Sequence, residues 1–228
     1  MNLQEVKGSY DLMVGLGSWC GPALHLRRHD LRKFSFPLDW VISNSLSDVS
    51  RLLKNKFADY MELENMIRTD GYAHFLDDGT AVFPEEGGNE PVNAHFINDT
   101  LYNIISVHDF PIIPDEDWQT QYPSYKEKLN GRIQRFLEKI TNSQSVLFVR
   151  WGADTYDEAA QLQTVLSEIV KGKFNILILQ PVDGLQVVNE LNCESDGICF
   201  VQVPLNNPND DQIWDHVLNG LTLTDHWK

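Results

Sequence analysis

Residues 146–179, VLFVRWGADTYDEAAQLQTVLSEIVKGKFNILIL, decide the fold. Val146-Leu147-Phe148-Val149 and Ile176-Leu177-Ile178-Leu179 are continuous apolar runs, the pattern of strands buried on both faces. Between them Ala159, Leu162, Val165, Leu166, Ile169 and Val170 recur at three and four residues, the period of one helix face. Strand, helix, strand in that order is the signature of a right-handed crossover onto a parallel sheet. Working outward, Ile198-Cys199-Phe200-Val201 and Ile104-Ile105-Ser106-Val107 have the same apolar character. Tyr125, Leu129, Ile133, Phe136, Leu137 and Ile140 predict a helix between the Ile104 and Val146 runs. Upstream, Leu12-Met13-Val14-Gly15-Leu16 reads as a buried strand closed by a tight turn at Gly17-Ser18. A helix follows it, with Pro22 suited to the first turn, Ala23, Leu24, Leu26 and Leu31 on its apolar side, and an end near Asp30.

The stretch from Phe34 to about Phe83 is less regular. Phe34 to Ile42 surrounds Pro37 and is expected to be extended or irregular. Ser45 or Ser47 is placed to cap a helix carrying Val49, Leu52, Leu53 and Phe57. Asp78-Gly79 signals a hairpin between Ala73–Leu76 and Thr80–Phe83, and Glu85 to Pro91 reads as a polar loop. The expected architecture is an α/β three-layer sandwich with a mostly parallel, doubly wound sheet, formed by one domain over residues 1–228.

Composition narrows the partners. The chain has a formal net charge of -15, with 33 acidic against 18 basic side chains. Such a surface repels a phosphate backbone, so no nucleic-acid partner is expected. The segment Met1-Asn2-Leu3-Gln4-Glu5 lacks a basic region followed by an apolar run, and no stretch approaches the ~20 apolar residues of a membrane span. Neither export nor membrane insertion is expected. Three cysteines, Cys20, Cys193 and Cys199, cannot all pair with one another, and none belongs to a CxxC unit, so a reducing cytoplasm is the expected compartment. Cys193 and Cys199 read as thiols flanking a turn at Glu194–Gly197. No ligand spacing for a metal and no cofactor motif is present, so neither is expected. Substrate and oligomeric state are open.

In an open parallel sheet, ligands bind beyond the carboxyl ends of the strands. The residues leaving each run there are Gly17-Ser18-Trp19-Cys20, His108-Asp109, Arg150-Trp151 with Asp154, and Gln180 with Asp183. Cys20 at a helix N-terminus faces unsatisfied N–H groups and the positive end of the dipole, which favour thiolate and could hold an oxyanion. Gly17 and Gly21 leave room for a ligand beside Ser18 and Trp19. His108 is the candidate base, and Asp39, Asp109 or Asp154 the candidate partners for its imidazole. Asp109 is adjacent to His108 and, on an extended strand, would point to the opposite face. Arg150 either binds an anionic substrate, with Trp151 and Asp154 nearby, or pairs with a carboxylate. The same residues also fit plainer roles: a small buried cysteine at a turn, a strand-end histidine, carboxylates that close turns.

Two resemblances follow. Trp19-Cys20-Gly21-Pro22 is similar to the first four residues of the thioredoxin active site, but Ala23 stands where the second cysteine would be, so dithiol exchange is not implied. The broader resemblance rests on Leu16-Gly17-Ser18-Trp19-Cys20, Leu31-Arg32-Lys33, Leu38-Asp39-Trp40, His108-Asp109-Phe110 and Val146-Leu147-Phe148-Val149-Arg150. In this pattern the chain, from about residue 10 to 180, resembles a mainly bacterial family described as papain-like cysteine peptidases, a domain of unknown function. Leu38 departs from the usual Phe. The resemblance implies Cys20 as nucleophile and His108 as base, with Asp39 in support, and an α+β papain-like fold as the alternative architecture. It leaves peptidase, amidase, thioesterase and acyltransferase chemistry open. A second reading is a non-catalytic α/β domain that binds an anionic or glycan-like ligand at the sheet edge through Arg150, Trp151 and the helix N-terminus.

Overall fold

The structure is a computed structural model that describes residues 1–84, 87–192 and 195–227 of the chain. Its central sheet runs in the order Asn189–Glu190, Ile198–Pro204, Lys173–Val182, Ser145–Trp151, Leu12–Gly15. The last four are mutually parallel, and only the short Asn189–Glu190 strand is antiparallel. Strand alternation sends Val146 and Phe148 to one face and Leu147, Val149 and Trp151 to the other. The first face packs against the helices Leu46–Lys54, Tyr122–Asn142 and Tyr156–Ile169. The second packs against Leu3–Val6, Gly21–Arg28 and Asp211–Leu218. Helices on both faces of a mainly parallel sheet make this the doubly wound α/β arrangement that the apolar runs predict.

A second sheet is antiparallel, in the order Val41–Ser43, Ile104–Pro111, Asn93–Asp99, Met66–His74. The Ile104 run therefore does not join the parallel sheet as expected, and His108 does not leave a parallel carboxyl edge. Its apolar run comes from packing within the same core: Ile104 and Phe110 are fully buried in the cluster that holds Val146 and Phe148, and Phe110 lies 4.4 Å from the ring of Tyr125 on the long helix. A continuous apolar run does not distinguish these two settings. Two other strands of this sheet, Asn93–Asp99, which pairs with the Ile104 strand, and Met66–His74 beyond it, are polar and largely exposed or half-buried, so they give no clear strand signal.

Local signals fare better. Pro22 sits in the first turn of its helix, which ends at Arg28. The Ser45 hydroxyl accepts the Asp48 N–H at 3.1 Å and caps the next helix. Asp78 and Gly79, both at positive φ, turn a hairpin between Leu76–Asp77 and Thr80–Ala81, shorter than expected but centred on the same dipeptide. Cys199 is fully buried in the Ile198–Pro204 strand. Cys193 and Glu194 lie outside the described residues, as do residues 85 and 86 of the polar loop. No helix among the described residues is long and apolar enough to cross a membrane.

Candidate functional site

The site is built on the turn after Leu12–Gly15. Gly17 and Ser18 follow one another at φ 71° and 74°. A Cβ on Gly17 would meet the Ser43 hydroxyl at 2.8 Å and Val41 Cγ2 at 3.3 Å, so glycine is needed for space as well as for conformation. Ser18 has a side chain and is disfavoured there by about 1–2 kcal/mol. Two hydrogen bonds offset that cost: Ser18 N–H donates to Ser43 Oγ at 2.8 Å, and Ser43 N–H donates to the Ser18 carbonyl at 3.2 Å. The Trp19 ring then folds over Gly21, where a Cβ would come within 2.1 Å of it, and meets Trp151 edge-on at 6.2 Å. Cys20 is left half-buried at the N-cap of the Gly21–Arg28 helix. The first-turn N–H groups beside it have no acceptor within the helix. The surroundings nevertheless do not favour thiolate: burial pushes the Cys20 thiol above its ordinary range, against the sequence expectation.

The same turn lies along residues 38–43. A Cβ on Gly17 would also lie 3.5 Å from the Leu38 carbonyl, and one on Gly15 would lie 3.7 Å from Asp39 Oδ1. Val41–Ser43 pairs in turn with Ile104–Ser106, and Val107 N–H donates to the Trp40 carbonyl. The strand bearing His108 is thus the direct neighbour of the segment that supports the Cys20 turn. His108 Nδ1 lies 2.6 Å from the His74 carbonyl, and its ring meets Trp40 edge-on at 6.1 Å. A carbonyl can only accept, so Nδ1 carries the proton and Nε2 presents a lone pair. Burial holds His108 below its ordinary value, partly countered by the His74 carbonyl and the Asp109 charge. Neutral imidazole is therefore its form near pH 7. Among the described residues no hydrogen bond joins Cys20 to His108; the resting thiol and imidazole are not an ion pair.

The candidate carboxylates are committed elsewhere. Asp39 Oδ2 accepts Arg32 Nε at 3.0 Å, Arg32 Nη2 at 2.7 Å and the Phe36 N–H at 2.8 Å, closing the turn before Trp40. Asp109 accepts Arg132 Nη1 at 2.9 Å and the Ser106 hydroxyl at 2.8 Å, so it serves the helix side of its strand and not His108. The group that orients the imidazole is instead the His74 backbone, which no side-chain search would find.

Of the two roles expected for Arg150, the structure shows the pairing with a carboxylate and not an open anion site. Its guanidinium is 1% exposed and all five of its N–H groups are used within the protein: Nε and Nη2 on Asp154, Nη1 on the Leu16 carbonyl and Ser43 Oγ, Nη2 on the Ser43 carbonyl. No donor is left for an anionic ligand. Trp151 is likewise buried, stacked 5.8 Å from Trp214, and Asp154 is sealed beneath Arg150. Gly17, Ser18, Trp19 and Gly21 flank Cys20 along the turn into its helix. Sequence reasoning missed Ser43, because a lone serine ending an apolar segment carries no signal of what it bonds. Among the described residues no group of three or more His, Cys, Asp or Glu is arranged to hold a metal ion.

Comparison with known proteins gives two findings. The family described as "Putative papain-like cysteine peptidase (DUF1796)" matches residues 11–182. An "Uncharacterized protein R408" of Acanthamoeba polyphaga mimivirus is 26% identical over 140 residues, 61% of this chain. The match spans 60% of that relative's length. No solved structure matches the chain.

Proposed function

The chain belongs to the family described as "Putative papain-like cysteine peptidase (DUF1796)", matched by residues 11–182, and from that premise we propose that it is a thiol-dependent hydrolase or acyltransferase with Cys20 as nucleophile and His108 as general base. The observation that carries the reading is the shared support: residues 38–43 brace the Cys20 turn through Ser43 and pair with the strand of His108. One short segment thus supports both the turn before Cys20 and the strand of His108.

In this reading Cys20 Sγ attacks an acyl carbon while His108 Nε2 takes the thiol proton. The tetrahedral oxyanion is met by first-turn N–H groups of the Gly21–Arg28 helix. Collapse expels the amine, alcohol or thiol leaving group, which takes the proton back from His108, and leaves a thioester on Cys20. Water, or another acceptor deprotonated by His108, then attacks the thioester and regenerates the thiol. Because the thiol is held protonated and the imidazole neutral, proton transfer accompanies attack and does not precede it. The His74 carbonyl keeps Nδ1 protonated and stabilises the imidazolium that forms, the part that a carboxylate plays in a triad.

The ligand-binding reading loses its main support, since Arg150 is buried with its donors used and Trp151 is buried against Trp214. The test is turnover of a panel of peptide, amide, ester and thioester substrates. Cleavage or transfer lost in both Cys20→Ser and His108→Gln supports the reading. Turnover that survives Cys20→Ser refutes it.

A further inference from the structure

We propose that Ser43, Arg150 and Asp154 act together as a positioning clamp that sets the conformation of the Gly17–Cys20 turn and so the placement of the Cys20 thiol. The proposal deepens the reading of Cys20 as the reacting group and rests on it.

Three observations converge. First, the turn needs external support, since two left-handed residues in succession, one of them a serine, are not held by local preference. Second, that support passes through one atom. Ser43 Oγ accepts the Ser18 N–H at 2.8 Å and Arg150 Nη1 at 3.1 Å, and a Cβ at Gly17 would strike it. With both lone pairs engaged, its position is dictated by Arg150. Third, Arg150 is itself fixed at both ends of its fork. Nη1 also holds the Leu16 carbonyl at 2.9 Å, one residue before the left-handed pair begins. Nε reaches Asp154 Oδ2 at 2.7 Å, and Nη2 lies 3.3 Å from Oδ1. Asp154 precedes Thr155, whose hydroxyl and Glu158 form a capping box at the start of the Tyr156–Ile169 helix, so the carboxylate stands on a rigid base.

A buried ion pair is a poor source of net stability compared with apolar side chains of the same size. What this pair supplies that apolar groups cannot is five directed bonds, three of which end on Leu16 and Ser43. Lysine could not replace arginine here, because a single ammonium cannot span Asp154, Leu16 and Ser43 with planar geometry.

The experiment uses the full chain. Amide hydrogen exchange of residues 16–21 and the rate of Cys20 modification by iodoacetamide, located by peptide mass mapping, are measured in wild type, Ser43→Ala, Ser43→Thr and His108→Ala. Loss of the Ser43 hydroxyl should speed exchange in residues 16–21 about ten-fold while residues 146–149 stay protected. It should shift the Cys20 rate by a similar factor, and Ser43→Thr should restore most of both. Exchange and modification within about two-fold of wild type in Ser43→Ala would overturn the clamp. If Ser43→Ala does not fold, Arg150→Lys is read by the same criteria. A Cys20 rate indifferent to His108→Ala, together with the exchange effect of Ser43→Ala, would support the clamp while counting against the thiol-enzyme reading, so the two can fail separately.

Discussion

Arg150 stands on the strand parallel to Leu12–Gly15, and its guanidinium holds the carbonyl of Leu16, the residue just past the end of that strand, at 2.9 Å, immediately before the chain turns left-handed at Gly17. The end of one strand thereby determines how the next begins its turn toward Cys20.

Removing Arg150 alone strands a buried carboxylate. Arg150→Ala should cost about 3–5 kcal/mol in urea denaturation, because Asp154 is left without its counter-ion. Arg150→Met combined with Asp154→Leu should recover a large part of that loss while leaving the turn unclamped. A cost below about 1 kcal/mol for Arg150→Ala would mean that the pair is not buried in solution.

Gly17 and Gly184 make a matched comparison. Both have positive φ, 71° and 73°, but a Cβ on Gly184 meets nothing within 4 Å, whereas one on Gly17 meets Ser43 Oγ at 2.8 Å. Gly184→Ala should cost about 1–2 kcal/mol from backbone conformation alone. Gly17→Ala should cost more and should disturb Cys20 modification, which Gly184→Ala should not. Equal stability losses for the two would place the Ser43 contact in error.

His25 gives the protein an acid sensitivity. Its ring stacks on Trp214 at 4.4 Å with planes 6° apart, and its Nδ1 is buried without a hydrogen-bond partner among the described residues. Burial first, then the Arg28 and His29 charges, hold its pKa at about 4. The unfolded chain takes up this proton near pH ~6.5, the folded chain only near 4, so the contribution to stability is complete above about 6.5 and falls as pH drops toward 4. His108 and His95, also lowered by burial, act in the same direction. The melting temperature should therefore drop between about pH 7 and 4.5, and drop less in His25→Phe, which keeps a ring on Trp214 but does not titrate. An unchanged pH dependence in His25→Phe would show that His25 is exposed to water.

Asp109 is predicted to be structural. Asp109→Asn weakens its bond to Arg132 and should lower stability, yet the chemistry of Cys20 should change little, because Asp109 bonds Arg132 and Ser106 and not the imidazole. A loss of turnover as large as that of His108→Gln would contradict this assignment.

The sequence makes the central sheet legible because strands covered on both faces have no choice but to be apolar throughout, as Val146–Val149 and Ile176–Leu179 are. Caps and turns are legible for a similar reason: Ser45, Pro22 and Asp78-Gly79 satisfy requirements local to a few residues. The second sheet is not, since Asn93–Asp99 and Met66–His74 owe their pairing to neighbours and not to their own pattern. The site divides the same way. Cys20 and His108 stand out by chemical type. The roles of Arg150 and Asp39 depend on contacts with Leu16, Ser43 and Arg32 that no spacing encodes, and a charged side chain read without its partners looks like one waiting for a ligand.

Whether His108 takes the proton of Cys20 can be read from the acylation of Cys20 by p-nitrophenyl acetate between about pH 5 and 9, in wild type and His108→Gln. The expected wild-type rate rises with pH through a midpoint below the ~6.5 of a free imidazole, since burial lowers His108, and then levels off. His108→Gln should abolish that limb and slow acylation at about pH 7 by about 10²–10⁴-fold. A rate that instead climbs only with ionisation of the thiol, which burial has raised, and that is the same with and without His108, would contradict the assignment of His108 as the base.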